Sequence, residues 1–348
     1  MATITKTPAG TWKAIIRRAG WPTTGKTFRT KRDAEDWSRT AEDEMVRGVF
    51  IQRSPSEKML VSKALERYTK DVVPTKKEST QRREGARIRE ITAYFGKYSL
   101  AAVTPDLVAK FRDKRLEQGK ANNSVRLELA LLSHLFNVAI REWHIGLAYN
   151  PVTNIRKPNP GNGRNRRLEK NEEQKLLTAV DQHSNPMLGW IVRIALETGM
   201  RQSEIVGIRR TQVDLKNRVV RLHDTKNSES RTVPLSKAAT GTFKQAISNP
   251  LQPAGTDLIF FGEPGKDGKR GPYQFSKSWQ LIKKKLGMAD FHFHDLRHET
   301  VSRLVTAGLS DQQVASISGH KSMQMLKRYS HLRSEDLVNA LDKISNND

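Results

Sequence analysis

The sequence predicts a multidomain, mainly α-helical chain: a small β-sheet-plus-helix module at the N-terminus, a helical middle, and a mixed α+β C-terminal half. Three observations carry this expectation. At roughly 150 residues per domain, 348 residues allow two or three domains. The hydrophobic period changes from about two to about 3.6 near residue 31 and stays helical to about residue 155. A Pro/Gly-rich segment, RKPNPGNGRNRR at 156–167, then separates the helical block from a region that alternates helices with one hairpin.

In chain order, TWKAIIRR and KTFRT read as short strands separated by the Gly/Pro turn of AGWPTTG. KRDAEDWSRTAEDEMVRG follows, with Ala34, Trp37, Ala41, Glu44 and Met45 at helical spacing and Gly48 as a stop. This gives a basic sheet with a helix across its back over residues 1–50; such a two- or three-stranded ribbon fits the DNA major groove. After IQRSPSEK, helices are expected from near Leu60, near Thr80, and at Pro105, a residue suited to a first helical position after Thr104. The clearest helix is SVRLELALLSHLFNVAIREW, with Leu127, Leu131, Leu135 and Val138 as its apolar stripe and Ser124 as its cap. Residues 59–155 thus form a helical module of four or five helices. Segment 156–167 is expected to be an extended linker, and RVVRLH to RTVPLS a hairpin joined by DTKNSES.

Charge narrows the partner. The chain has 61 Lys+Arg against 37 Asp+Glu, a net charge of +24, which points to a polyanion. Nucleic acid is favoured over membrane, because the start MATITKTPAG has no apolar signal region and Arg193, His134 and Asn137 interrupt the most apolar stretches. Without any cysteine there is no disulfide framework, thiol nucleophile or Cys-ligated metal, and a cytoplasmic setting is expected. Residues 1–32 hold eight Lys/Arg and no acid, so Lys13, Arg17, Arg18, Lys26 and Arg29 are candidate DNA contacts. Arg82 and Arg83 extend the set into the helical block, which also carries Lys76, Lys77, Arg87 and Arg89. Arg164, Arg166 and Arg167 place it in the linker, where they are expected to lie along phosphates.

Four places can carry chemistry. In LETGMRQSEIVGI a helix stops at Gly199, and Arg201 precedes a new helix start with Glu204 as an ion-pair partner. Lys226 sits at the tip of the expected hairpin. In HFHDLRHETVSRLVTAG, Asp295 or a neighbour opens a helix that Gly308 closes, and His294 and Arg297 share that opening. His292, His294 and His298 do not make a metal site, because no HExxH pattern exists and Arg297 repels a cation. In LSDQQVASISGHKSMQMLKRYSHL, Ser310 and Gln313 form a capping box, Gly319 breaks the helix before His320, and Tyr329 follows nine residues later. Taken singly, each of these residues also has an ordinary reading: Arg201 as an ion-pair partner, Lys226 as a solvated turn lysine, Tyr329 as a core-edge phenol.

Together, TGMRQSE, TKNSESRTVPLS, HFHDLRH, SGHKS and RYSH resemble, in order and spacing, the tyrosine recombinase or phage integrase family. The segments SVRLELALLSHLFNVA, HFHDLRHE and ISGHKSMQMLKRYSHLR are particularly similar to shufflon-type DNA invertases and their integrase relatives. The resemblance implies an arm-type DNA-binding domain at 1–50, a core-binding (SAM-like) domain at 59–155, a basic linker at 156–167 and a catalytic domain at 168–348. It implies Tyr329 as the nucleophile of a 3'-phosphotyrosyl intermediate, Arg201 and Arg297 on the non-bridging oxygens, and Lys226 as the acid for the 5' oxygen. It further implies His294 as acceptor of the tyrosyl proton, His320 as a phosphate hydrogen-bond donor, Glu204 orienting Arg201, and His298 sharing proton handling.

Such chemistry requires no metal, ATP or other cofactor. A metal-free cleavage needs a nucleophile, cations for the pentacoordinate transition state and a proton for the leaving oxygen, and these residue types supply all three. The resemblance also implies duplex DNA with core and arm-type sites, a homotetramer, a host DNA-bending protein and an excisionase as partners, and a nucleoid location. Integration and excision are favoured over inversion by the arm-like N-terminus. A type IB topoisomerase and a catalytically silent DNA-binding regulator are weaker alternatives. The tail SEDLVNALDKI, with Leu337, Leu341 and Ile344 on one stripe, is expected to dock either on a neighbouring protomer or on its own domain.

Overall fold

Alternation in the first 30 residues produces three antiparallel strands, β1 (Ala2–Lys6), β2 (Trp12–Ile16) and β3 (Thr24–Phe28), in the order β1-β2-β3. Ala14 and Ile16 face inward, while Lys13 stands on the open face between Thr5 and Thr27. Helix α1 (Lys31–Val46) covers the inner face with Ala34, Ser38, Ala41 and Met45, and Thr30 caps it by accepting from the Asp33 amide. β1 was not foreseen separately; its ATITK alternation is short and begins one residue into the chain. The computed structural model describes residues 2–50, 54–161, 164, 166–223, 230–320, 322–327 and 329.

The chain divides into two compact units, residues 1–163 and 164–348. In the first, the sheet module precedes α2 (Ser54–Lys58), α3 (Val61–Asp71), α4 (Glu78–Phe95), α5 (Pro105–Glu117) and α6 (Asn122–Arg141). Pro105 is the first residue of α5 and Thr104 caps it, as its position after a hydroxyl residue predicts. Helix α6 departs from expectation in two ways. It begins at Asn122, so Ser124 lies inside the first turn, and Leu127 is 40% exposed. The buried stripe instead follows Val125, Leu129, Leu132 and Phe136, joined by Leu131, Leu135 and Val138. Each fully buried Leu or Phe of this kind contributes about 1.5–3 kcal/mol, so the broader stripe fixes the rotation of the helix. Lys76 is likewise internal: its ammonium meets Glu84 at 2.8 Å and the Tyr68 hydroxyl at 2.6 Å.

The second unit contains α7 (Lys170–Asp181), α8 (Met187–Thr198), α9 (Gln202–Val206) and a three-stranded sheet of β4 (Val213–Asp214), β5 (Val219–Leu222) and β6 (Arg231–Pro234). The β5–β6 hairpin has the expected antiparallel pairing, with Val220 opposite Val233. Then come α10 (Lys237–Ile247), the pair β7 (Phe261–Pro264) and β8 (Arg270–Pro272), and α11 (Ser276–Lys285). The described part ends with α12 (Phe293–Thr306), α13 (Asp311–Ser318) and α14 (Met323–Leu326). The apolar α8 is central: Leu188, Ile191, Val192 and Ala195 are buried in the main core with Phe243, Phe260 and Phe291. A smaller core joins Val301 and Val305 of α12 to Val314, Leu326 and Tyr329. Among the described residues no helix is long and apolar enough to cross a membrane. The C-terminal stripe of Leu337, Leu341 and Ile344 lies outside the described residues.

Candidate active site

The site is built where α8 ends against α12. Gly199 takes φ 61°, a left-handed conformation that favours glycine, and a Cβ there would lie 3.3 Å from Thr300 Cγ2. Thr300 Oγ1 lies 2.9 Å from each of the Ala195 and Leu196 carbonyls, so α12 is pinned directly to the last turn of α8. The chain then turns through buried Met200 to Arg201, which precedes α9 in an extended conformation. Glu204 accepts the Arg201 amide at 2.9 Å and Arg201 Nη1 at 2.7 Å, capping the helix and holding the guanidinium with one carboxylate.

A second arginine reaches the same carboxylate. Arg231, the first residue of β6, donates from Nη1 and Nη2 to Glu204 at 3.0 and 2.8 Å. Burial works against the charge of Glu204, but the bonds from Arg231 and from the backbone and side chain of Arg201 outweigh it and hold the carboxyl down at about 2. Arg201 also donates from Nη2 to the Gly319 carbonyl at 3.0 Å. Gly319, with φ 73°, ends α13 and delivers His320.

Arg297 projects from the first half of α12 and is 4% exposed. Its Nη1 donates to the Gly199 carbonyl at 2.7 Å, and Nη2 faces His320 Nε2 at 3.4 Å. Burial lowers its pKa to about 10; Arg201 and Arg231 push in the same direction, while Glu204 and Tyr329 oppose them. The other ring nitrogen of His320, Nδ1, lies 2.7 Å from Ser318 Oγ, whose hydroxyl donates to the Val314 carbonyl. Tyr329 is 6% exposed, and its hydroxyl is 2.5 Å from His298 Nδ1. His294 stands edge-on to His298, ring centres 5.1 Å apart, on the exposed side of α12.

Arg201, Glu204, His294, Arg297, His298, His320 and Tyr329 are therefore gathered in one unit from four chain segments. The phenol is contacted by His298, for which the family resemblance implies only a shared part, while His294 is its neighbour. Lys226 lies outside the described residues. Arg231 was missed, although it stands in the quoted segment TKNSESRTVPLS: a strand-opening arginine carries no sign of an inward-facing side chain. Chemically, two guanidinium groups share the Glu204 carboxylate and a third, Arg297, has no described carboxylate partner, leaving a cationic excess suited to a phosphodiester beside a phenol paired with an imidazole.

The basic residues outside this cluster divide into two groups. Lys13, Arg17, Arg18, Arg29, Arg82 and Arg83 are exposed, with Arg82 paired to Glu78 on the same helix. Lys26 lies on the helix-covered face of its sheet and pairs with Glu57 at 2.9 Å. The linker arginines are engaged by carboxylates rather than merely solvated. Arg164 donates to Asp295 at 3.1 Å, Arg166 pairs with Glu172 and with Asp290, and Arg167 pairs with buried Glu299 at 3.1 Å. Segment 156–161 is also tied down, because Arg112, Arg126 and Asn122 donate to the carbonyls of Arg156, Pro158 and Asn159. A search for acids within the linker could not reveal this, since the partners lie on separate helices.

Residues 166–336 match the phage integrase family. Over 294 residues the chain is 41% identical to the Shufflon-specific DNA recombinase of Escherichia coli, covering 82% of this chain and 72% of that protein. The chain belongs to the phage integrase family. Members of this family, the tyrosine recombinases, are site-specific recombinases. The chain is also 31% identical over 221 residues to the Integrase of Salmonella phage P22, covering 60% of this chain and 54% of that protein. Its fold is similar to that of a lambda integrase dimer bound to a COC' core site, with a TM-score of 0.62, 21% identity and 95% of both chains covered. As a tyrosine recombinase, the chain has the mixed, largely helical architecture with small sheets that its sequence predicts.

Proposed function

We propose that this chain cleaves and rejoins duplex DNA at specific sites through a covalent Tyr329 intermediate, with integration and excision of a mobile element as the outcome. The single observation that carries the reading is the pairing of the Tyr329 hydroxyl with His298 beside Arg297, His320 and Arg201. Tyr329 Oη attacks the scissile phosphorus and passes its proton to His298, with His294 next to it. Arg201 and Arg297 hold the non-bridging oxygens, and His320, positioned by Ser318, presents Nε2 to the same phosphate. Lys226 protonates the departing 5' oxygen. Return of that oxygen, or of one from a second duplex, to the phosphotyrosine rejoins the strand and releases Tyr329.

The exposed cations of residues 1–50 and of 59–155 are assigned to arm-type and core-type DNA contacts, and residues 168–348 to catalysis. Four protomers act together on two duplexes, with a host DNA-bending protein and an excisionase setting direction. The fold likeness to lambda integrase, covering 95% of this chain, includes the N-terminal module and supports the arm reading. Inversion is the second reading, favoured by the 41% identity to a shufflon-specific recombinase. The test uses plasmids carrying the DNA sites that flank the gene, placed on separate molecules, in direct repeat, or inverted. Integration predicts joined plasmids and excised circles. Products confined to inverted sites favour the second reading, and no recombinants under any arrangement contradict both.

A further inference from the structure

Arg231 is more than a salt-bridge partner. Its two terminal nitrogens occupy one side of the Glu204 carboxylate, and Arg201 occupies the other through its amide and Nη1. The guanidinium also lies flat against Gly319. A Cβ on Gly319 would fall 2.6 Å from Arg231 Cζ and 2.7 Å from Nη1, so a side chain at 319 and the present place of Arg231 exclude each other. The Gly319 carbonyl accepts from Arg201 Nη2, and the next residue is His320. Arg231 Nε is buried and has no hydrogen-bond partner among the described residues. An arginine placed only to stabilise the fold is expected to satisfy that group; here packing against Gly319 has taken precedence.

We propose that Arg231 is a positioning residue for DNA cleavage: by sharing Glu204 and bracing the Gly319 backbone, it sets the direction of the Arg201 fork and of His320 on the reacting phosphate. This rests on the recombinase reading above. Glu204 alone would draw Arg201 toward itself, since one cation would then face the whole carboxylate charge. With Arg231 opposite, the carboxylate is shared between two forks, and Arg201 keeps a donor for the phosphate. Lysine cannot replace this function, because a point charge lacks the planar pair of donors that matches both carboxylate oxygens.

The test measures single-turnover cleavage of a nicked suicide duplex by the full chain, native and with Arg231→Lys or Arg231→Gln, alongside DNA affinity and thermal unfolding. Each protein is also given a duplex with a methylphosphonate at the scissile position, which lacks the charge that Arg201 meets. Both variants are expected to bind the duplex as the native chain does and to cleave the phosphodiester about 10- to 100-fold more slowly, the scale of a small misplacement of a reacting group. The defect should shrink on the methylphosphonate, and adding Arg231→Lys to Glu204→Gln should cost little beyond Glu204→Gln alone. Native cleavage rates in both variants overturn the proposal, as does an equal proportional loss on the two duplexes, which marks a structural role. If Arg231→Gln fails to fold, the Arg231→Lys rates on the two duplexes decide. A native chain that forms no adduct removes the recombinase reading and this inference with it; an active native chain with fully active variants removes only the inference.

Discussion

Among the described residues two arginines are buried, Arg115 in the first unit and Arg297 in the second, and their surroundings are opposite. Arg115 donates to both oxygens of buried Glu128 at 2.9 and 2.8 Å, to Gln118 at 2.7 Å, and pairs with Glu90 at 2.9 Å. Its pKa is raised, chiefly by the bond to Glu128. Arg297 has a backbone carbonyl and a histidine for partners, no described carboxylate pairs with it, and its pKa is lowered to about 10. Desolvating a guanidinium costs several kcal/mol unless a countercharge offsets it. For Arg115 the countercharge is internal, so the pair fixes α5 on α6. For Arg297 no countercharge is present among the described residues, which fits the proposal that it meets an incoming phosphate. Burial alone therefore does not separate these two arginines; the partner does.

Substitutions can break this comparison. Arg115→Met leaves Glu128 buried without its main partner and should lower the stability of the first unit by about 3–5 kcal/mol, the usual loss for half of a buried pair. Chemical denaturation of the full chain followed through that unit's signal measures it, and an unchanged midpoint would remove the structural half of the contrast. Arg297→Met should behave in the reverse way. Cleavage of a suicide duplex falls by about 10²–10³-fold, as for removal of one transition-state donor, while the unfolding temperature stays level or rises because a buried charge with no described carboxylate partner is gone. A large thermal loss with modest kinetic loss would make Arg297 structural.

The next expected effect concerns the phenol. His298→Ala should slow single-turnover cleavage by about 10²-fold, the lower range for a positioned base, and should do so more than His294→Ala. The opposite order would return the proton to His294. The smallest effect is a pH dependence at Glu204, whose carboxyl is held at about 2, below its ordinary 4.5. A depressed carboxylate contributes stability that is complete above 4.5 and is lost as pH falls through about 2. The stability gap between the native chain and Glu204→Gln should accordingly narrow on acidification across that window; a constant gap would show that the carboxylate charge is not what Arg201 and Arg231 share.

Much of the fold is legible in the sequence. Hydrophobic period located α1, α5, α6 and α12, and left-handed glycines marked the helix ends at Gly199 and Gly319, because these signals are local. The register of α6 was misplaced by Leu127, since a helix rich in leucine offers several stripes and only its neighbours choose among them. The candidate site residues stand in the sequence as a spaced set, but the pairing of His298 with Tyr329 and the sharing of Glu204 are not legible there, because both join segments far apart in sequence. The linker arginines show the same limit. Their own segment holds no acid, and Glu172, Asp290, Asp295 and Glu299 come to them only through the fold.

The most direct measurement is capture of the covalent intermediate. A nicked duplex bearing the recombination site is incubated with the native chain and with Tyr329→Phe in the presence of a metal chelator, and the linked peptide is sequenced by mass spectrometry. The expected result is a DNA 3'-phosphate on Tyr329 in the native chain and no adduct in Tyr329→Phe. An adduct on another residue, an adduct that persists in Tyr329→Phe, or cleavage without any adduct would contradict the assignment of this buried phenol and the neighbouring Arg297 to DNA cleavage.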